Sequence, residues 1–297
     1  MPHGSNSIRH VKFPDSWRNP DHVGYGTYPG PYRYEGIERY YAAVGSTLSN
    51  GYRHIDTAHT YVNEHYLGQA IQESGIPRED IFLTSKLHPD LNSFSGTQEG
   101  VEKSLANLRT DYLDLFLIHY PGVGHPGDAW RALHRVRETG LCKHIGVSNF
   151  EIKHLKRLRE ISGVFPEVNQ IEFHPLLYSE ELEALVQFCR TNDIQVEGYC
   201  PLAWADTGLL ESETVAGIVR KYHCTPVRVI LQWSMQHGVC PIAGTLSPDH
   251  MAENAGPYDF DLTPDDMSAI DNLGNAQIRL SIMWGWDSTK VPVEMVY

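Results

Sequence analysis

The sequence predicts an α/β protein built as one closed (β/α)8 barrel, the TIM barrel, with a C-terminal tail over the barrel mouth. Three observations lead there. Short β-type apolar runs recur along the chain, helical patterns separate them, and no linker interrupts the alternation over about 250 residues, the length of a single such barrel. The runs are apolar almost without interruption, as expected of parallel strands covered on both faces.

Residues 1–20 are expected to form a surface arm, because the opening MPHGSNSIRHVKFPDSWRNPD has neither the apolar stretch of a secretory signal nor the pattern of an amphipathic presequence. DHVGYGT (21–27) is the first expected strand. RHIDT (53–57) follows and runs into an amphipathic helix that reaches residue 71. IFLTSKL (81–87) precedes the helical VEKSLANLR, and LDLFLIH (113–119) precedes DAWRALHRVRETG, which Gly140 stops. KHIGVSN (143–149) leads into EIKHLKRLRE, whose charge run reads as a solvated face. PEVNQIEF (166–173) leads into SEELEALVQFCRTND, started by Ser179. IQVEGYCPL (194–202) is followed by VRVILQWSMQHG, opened by Pro226 and closed by Gly238. GVCPIAGT (238–245) is the last strand, with Pro248 opening a further helix. A doubly wound dinucleotide-binding sheet is the competitor, but Gly24, Gly26 and Gly30 miss the third glycine position of its fingerprint. The whole of 1–297 therefore reads as one domain, with 274–297 as the loop crossing the mouth.

Composition excludes several functions. A net charge of -13 disfavours binding to nucleic acid or to anionic membranes, both of which rest on clustered positive charge. No apolar run approaches the length of a membrane span. The five cysteines are odd in number, widely spaced and never in CxxC pairs, which argues against a disulfide framework and against a thiolate metal site. These features together predict a cytoplasmic protein.

The polar residues fall in a pattern. Asp56, Lys86 and His119 each close a buried strand, so a barrel brings them to one mouth, where active sites of this architecture are built. A buried lysine needs a counter-charge, and Asp56 on the neighbouring strand supplies one. Tyr61, in the loop leaving the Asp56 strand, can fold over the pair. An ammonium beside a phenol is expected to lower its pKa and make it a general acid near neutrality. The chemistry that suits this set is protonation of an alkoxide as a nicotinamide reduces a carbonyl. His54, Asp56 and His59 have a spacing that a metal would tolerate, but no later strand completes a ligand set, so no metal is expected. His54 is expected to pack inside the barrel or to bond a backbone carbonyl.

The motifs GYRHIDTAHTYVNE (51–64), TSKL (84–87), LDLFLIHYP (113–121), HIGVSNF (144–150), EVNQIEFHP (167–175) and EGYCPL (197–202) resemble those of the aldo-keto reductases, from Gly24 to about Leu273. The resemblance implies Tyr61 as proton donor, Lys86 and Asp56 as its tuning pair, and His119 as the group that orients the carbonyl. It implies that Ser148, Asn149 and Gln170 hold the nicotinamide carboxamide and that Tyr199 stacks on the ring. Gly26, Thr27 and Tyr28 would flank cofactor and substrate, Cys200 would face the pyrophosphate with Pro201 and Leu202 beside it in the cofactor site, Glu253 and Asn254 would contact the adenine, and Thr245 and Ser247 could offer hydroxyls to a phosphate. Cys200 stands where a serine is common. Gly244 and His250 stand where many members carry a lysine and an arginine for a 2′-phosphate. NADP(H) is therefore expected, with NAD(H) open. Asn149 could instead cap the helix near Glu151. Substrate is expected to be a small-molecule aldehyde or ketone, apolar or aromatic in character, in an open site lined by Tyr28, Tyr120, Trp204, Trp284 and Trp286, although the tryptophans could equally pack the tail. A monomer is the family-like expectation. The competing function is a noncatalytic nucleotide-binding or regulatory subunit that retains the barrel.

Overall fold

The computed structural model describes residues 22–28, 37–205, 207–256, 258–276 and 278–296, without the side chains of 37–41, 275–276 and 283–284. The expected arm over 1–20 lies outside the described residues. Eight parallel strands close in chain order, each hydrogen-bonded to the next and the last to the first. They are β1 (Gly24–Gly26), β2 (His54–Asp56), β3 (Phe82–Leu87), β4 (Leu113–Ile118), β5 (Cys142–Ser148), β6 (Val168–Glu172), β7 (Gln195–Tyr199) and β8 (Val239–Ala243). Each lies inside the run that predicts it except β5, which starts one residue earlier, at Cys142.

Helices fill every crossover: α1 (Ile37–Ser49), α2 (Glu64–Glu73), α3 (Phe94–Leu108), α4 (Pro126–Glu138), α5 (Ile152–Ser162) and α6 (Glu180–Thr191). Between β7 and β8 stand two, α7 (Glu213–Tyr222) and α8 (Pro226–Gln236). Two more, α9 (Pro248–Asn254) and α10 (Pro264–Asp271), follow β8. The helix at 213–222 is not among those read from the sequence. Its Ser212 cap, accepting from Val215 N, is a start signal that sequence reading could have used.

Local chemistry explains the boundaries. Ser179 accepts from Leu182 N at the head of α6, where Glu180, Glu181 and Glu183 meet the positive end of the helix dipole. Thr225 and Ser247 cap α8 and α9, each followed by a proline at the position where no backbone donor is needed. α5 is capped by a reciprocal pair, Glu151 and His154. Asn149 is therefore not its cap.

Strand residues alternate between two apolar regions. Ile55, Leu83, Phe116, Ile145 and Ile171 point outward into the core shared by sheet and helices. Phe82, Leu115, Leu117 and Val168 form a separate cluster inside the barrel. The inward positions nearer the carboxyl ends of the strands carry polar side chains instead, and these build the site.

Candidate active site

Lys86 is completely buried, and its ammonium donates to Asp56 Oδ1 at 2.5 Å and to the Thr57 carbonyl at 2.9 Å. Parallel register places β2 beside β3, which brings together groups thirty residues apart in sequence. Gln170 continues the network by donating to Asp56 Oδ2 at 2.7 Å and to Glu197 Oε2 at 2.8 Å. Glu197 is buried. Desolvation, reinforced by the neighbouring Asp56 charge, pushes its carboxyl up to about 7. Glu197 belongs to no expected role, yet an acid in a buried strand needs partners, the same signal that marks Gln170.

Tyr61 arrives from the short helical turn His59–Tyr61 after β2. Its ring lies 5.2 Å from Lys86 Nζ and 5.9 Å, edge to face, from the His119 ring. The phenol is held well above its ordinary range, by burial first and by the Asp56 carboxylate second. This corrects the expectation that Lys86 lowers it. The ammonium is already bonded to Asp56, so the pair presents little net charge to the phenol and desolvation prevails.

His119 follows β4 directly. Burial, followed by the Lys86 and His88 charges, holds its imidazole well below the usual range, so it is neutral near pH 7. Its Nδ1 lies 3.4 Å from Thr60 Oγ1, and its carbonyl accepts from Asn149 Nδ2 at 3.1 Å. Thr60, Thr57 and Asn63 were not singled out from sequence. Asn63 accepts from Thr57 Oγ1 and donates to the Thr27 carbonyl, tying the β2 loop to β1.

Beside these groups lies a cavity of about 1110 Å³. Its walls include Asp56, Tyr61, His119, Asn149, Gln170, Tyr199, Cys200, Pro201, Leu202, Gly26 and Tyr28. Ser148 is buried and donates to the Gln170 carbonyl, and Tyr199 donates to Asn149 Oδ1 at 2.7 Å. Asn149 has a left-handed backbone at φ 65°, which turns its carboxamide back over the barrel. Thr27 Oγ1 is buried with no hydrogen-bond partner among the described residues. Burial pushes the Cys200 thiol up to about 12, and the sulfur accepts from Trp204 Nε1 at 3.2 Å. Thr245, Glu253 and Asn254 are not among the residues lining the cavity. They sit beyond it, in the loop and helix after β8. Gly244 lies on the cavity wall, where a Cβ would come within 2.6 Å of the Gly26 carbonyl.

The aromatic rim departs from expectation at one place. Tyr28, Trp204 and Trp286 face the cavity, whereas Tyr120 is buried and stacks behind Trp286 at 5.3 Å. The Trp284 side chain lies outside the described residues. Trp286 also meets the His119 ring edge to face at 4.6 Å, so the tail does reach the mouth. Among the described residues His54 bonds no carbonyl. It faces Phe82, His22 and Glu197 on the barrel floor.

The family model described as Aldo/keto reductase family matches residues 23–275. Glyoxal reductase of Bacillus subtilis is 42% identical over 231 residues, 78% of this chain and 82% of that protein. Methylglyoxal reductase DkgA of Salmonella typhimurium is 37% identical over 80% of this chain and 85% of its own length. Among solved structures, a Bombyx mori aldo-keto reductase in complex with NADP superposes with a TM-score of 0.80 at 30% identity, covering 90% of this chain and 94% of that one.

Proposed function

The chain belongs to the aldo-keto reductase family and is a nicotinamide-dependent oxidoreductase that reduces carbonyl groups, and on that premise we propose Tyr61 as its proton donor, served by Lys86, Asp56 and His119. One observation carries the assignment: a fully buried ammonium, bonded to a carboxylate, beneath a phenol on the cavity wall. A noncatalytic subunit would have no use for an arrangement whose desolvation costs several kcal/mol per ion.

The cavity fits the cofactor through its donor set. Asn149 and Gln170 present carboxamide chemistry to match another carboxamide, with Ser148 bracing Gln170, and the unsatisfied Thr27 hydroxyl lies between the two cavity residues Gly26 and Tyr28. Tyr199 would take the ring face, Cys200, Pro201 and Leu202 the pyrophosphate, and Thr245, Glu253 and Asn254 the adenosine end. The nicotinamide, when bound, supplies the hydride. With Thr60 as the donor to His119 Nδ1, 3.4 Å away, the Nε2 proton is left to hold the carbonyl oxygen. As that oxygen becomes an alkoxide, a far stronger base than a phenolate, it takes the Tyr61 proton. Lys86 stabilises the phenolate left behind, and Asp56 and Gln170 keep the ammonium in place.

The relatives' names point to short aldehydes and dicarbonyls as substrates, held between Tyr28, Trp204 and Trp286. We propose a monomer as the working unit. Among the described residues no helix is long and apolar enough to cross a membrane, and we place the protein in the cytoplasm.

Tyr61→Phe removes only the hydroxyl. With methylglyoxal as substrate, kcat is expected to fall by about 10²–10⁴-fold while nucleotide binding, read by tryptophan quenching, stays within about twofold. An unchanged rate would sink the assignment. For the cofactor, we propose NADP(H) ahead of NAD(H) by less than about tenfold, or about 1.4 kcal/mol, because neither 244 nor 250 carries a lysine or arginine. The close approach of the Gly26 carbonyl explains why residue 244 carries no side chain. A thousandfold preference in the same titration would show that another cation grips the phosphate.

A further inference from the structure

At the opposite end of the barrel from the active site, three potential ligand atoms converge. His22 precedes β1, His54 opens β2, and Cys240 is the second residue of β8. His22 Nε2 lies 3.3 Å from His54 Nδ1 and 3.8 Å from Cys240 Sγ, and all three atoms are within 4.8 Å of one another. Tetrahedral bonds of about 2.0–2.1 Å to nitrogen and about 2.3 Å to sulfur require N···N near 3.3 Å and N···S near 3.6 Å. The first two separations are already within a few tenths of an ångström of those values. The third has at most about 1.2 Å to close.

We propose that His22 Nε2, His54 Nδ1 and Cys240 Sγ form a binding site for one borderline-soft divalent cation of the Zn²⁺ class.

The surroundings favour a ligand role over packing. The other ring nitrogen of His54, Nε2, faces Glu197 Oε1 at 3.6 Å. At that distance Nε2 makes no hydrogen bond among the described residues, and a small approach of the Glu197 carboxyl would give it the acceptor that usually backs a ligating imidazole and leaves Nδ1 its lone pair. Parallel pairing puts Glu197 directly beside Cys240, so the same register that supplies the sulfur supplies the supporting carboxylate. Gly24 keeps the approach open: a Cβ there would lie 3.0 Å from His54 Nδ1. Two imidazoles and a thiolate match Zn²⁺ rather than the hard, oxygen-seeking cations. Binding ionises the Cys240 thiol, which now donates to the His22 carbonyl at 3.6 Å, and so releases one proton per metal ion.

The site would also have a structural consequence. β1 and β2 are three residues each, and β1 has only two register pairs with each of its neighbours. A cation held by His22, two residues before β1, by His54 at the start of β2 and by Cys240 in β8 would staple the barrel where its ladder is shortest.

The test uses untagged, metal-free full-length protein titrated with Co²⁺. The expected result is one ion per chain, with the thiolate charge-transfer band and the visible bands of tetrahedral cobalt, bleached by one equivalent of Zn²⁺. Cys240→Ser should abolish the charge-transfer band, and His22→Gln, outside the strands, should weaken binding at least tenfold. Both variants should keep carbonyl reduction, which separates loss of the metal from loss of the fold. Zn²⁺ should raise the Tm of the wild-type chain by several degrees and leave that of Cys240→Ser unchanged. An octahedral spectrum, no thiolate band, or a band that survives Cys240→Ser would overturn the proposal. None of these readouts depends on the reductase assignment.

Discussion

Glu197 holds its proton to about pH 7 because burial and the Asp56 carboxylate both oppose its charge. That value lies above the ordinary 4.5, so across this window the folded chain keeps a proton that the unfolded chain has released, and Glu197 makes stability fall as pH rises. Glu197→Gln removes the titration while still accepting from Gln170. In the presence of a chelator, the variant's Tm relative to wild type should improve from about pH 5 to about pH 7 and then level off. A difference that does not vary with pH would show that the carboxyl is charged throughout. Single residues also mark the limits of reading the sequence. That Asp56, Lys86 and His119 share one mouth is legible because each closes a buried strand, and Tyr61 joins them because its loop leaves the Asp56 strand. The direction of the Tyr61 shift is not legible. It depends on the Lys86 charge being bonded to Asp56 and Thr57, and on how much water the fold removes from the phenol.

Among the elements, the C-terminal tail depends most on distant partners. Glu172, at the end of β6, accepts from Leu280 N and Ser281 N at 2.5 and 2.9 Å and from His174 at 3.0 Å. Although burial opposes it, these donors hold the carboxylate below its usual range. Its contribution is therefore present above about pH 4.5 and is lost as pH falls. His154 and Arg157 on α5 bind the Val291 and Val296 carbonyls, so the tail is strapped along β6 and α5 with Trp286 over His119. In Glu172→Gln an amide group faces two backbone donors with half its acceptor capacity. Hydrogen exchange at Leu280 and Ser281 should speed up by at least about tenfold, and KM should rise more than kcat falls, because the rim loosens while the Tyr61 group stays intact. Protected amides in that variant would assign the tail's hold to α5 alone. The β7 exit is a second element that only structure reveals: Cys200, Ala203, Trp204 and Ala205 all have positive φ. Left-handed backbone in residues other than glycine costs about 1–2 kcal/mol each, and here it turns the chain so that Trp204 faces Tyr28 at 6.4 Å.

At the scale of the molecule, the near-continuous apolar strands, the capped helices between them and the strand-end charges point to a closed barrel with its chemistry at one mouth, and the structure closes in that order. Those features were legible because each depends on neighbours within a few residues: periodicity sets the element, caps set its ends, and the βα connection sets the parallel direction. The cluster of His22, His54 and Cys240 was not, and the widely spaced cysteines even argued against a thiolate ligand. Its members lie on three segments that meet only when β8 closes on β1, so their spacing in the chain carries no trace of their spacing in space. The burial of Tyr120 behind Trp286, the network from Glu197 through Gln170 to Asp56, and the clamp of Glu172 on the tail belong to the same class. Local pattern decides which segments become strands and helices, whereas the register of a closed barrel decides which side chains share its interior and hence which charges, rings and sulfur atoms meet.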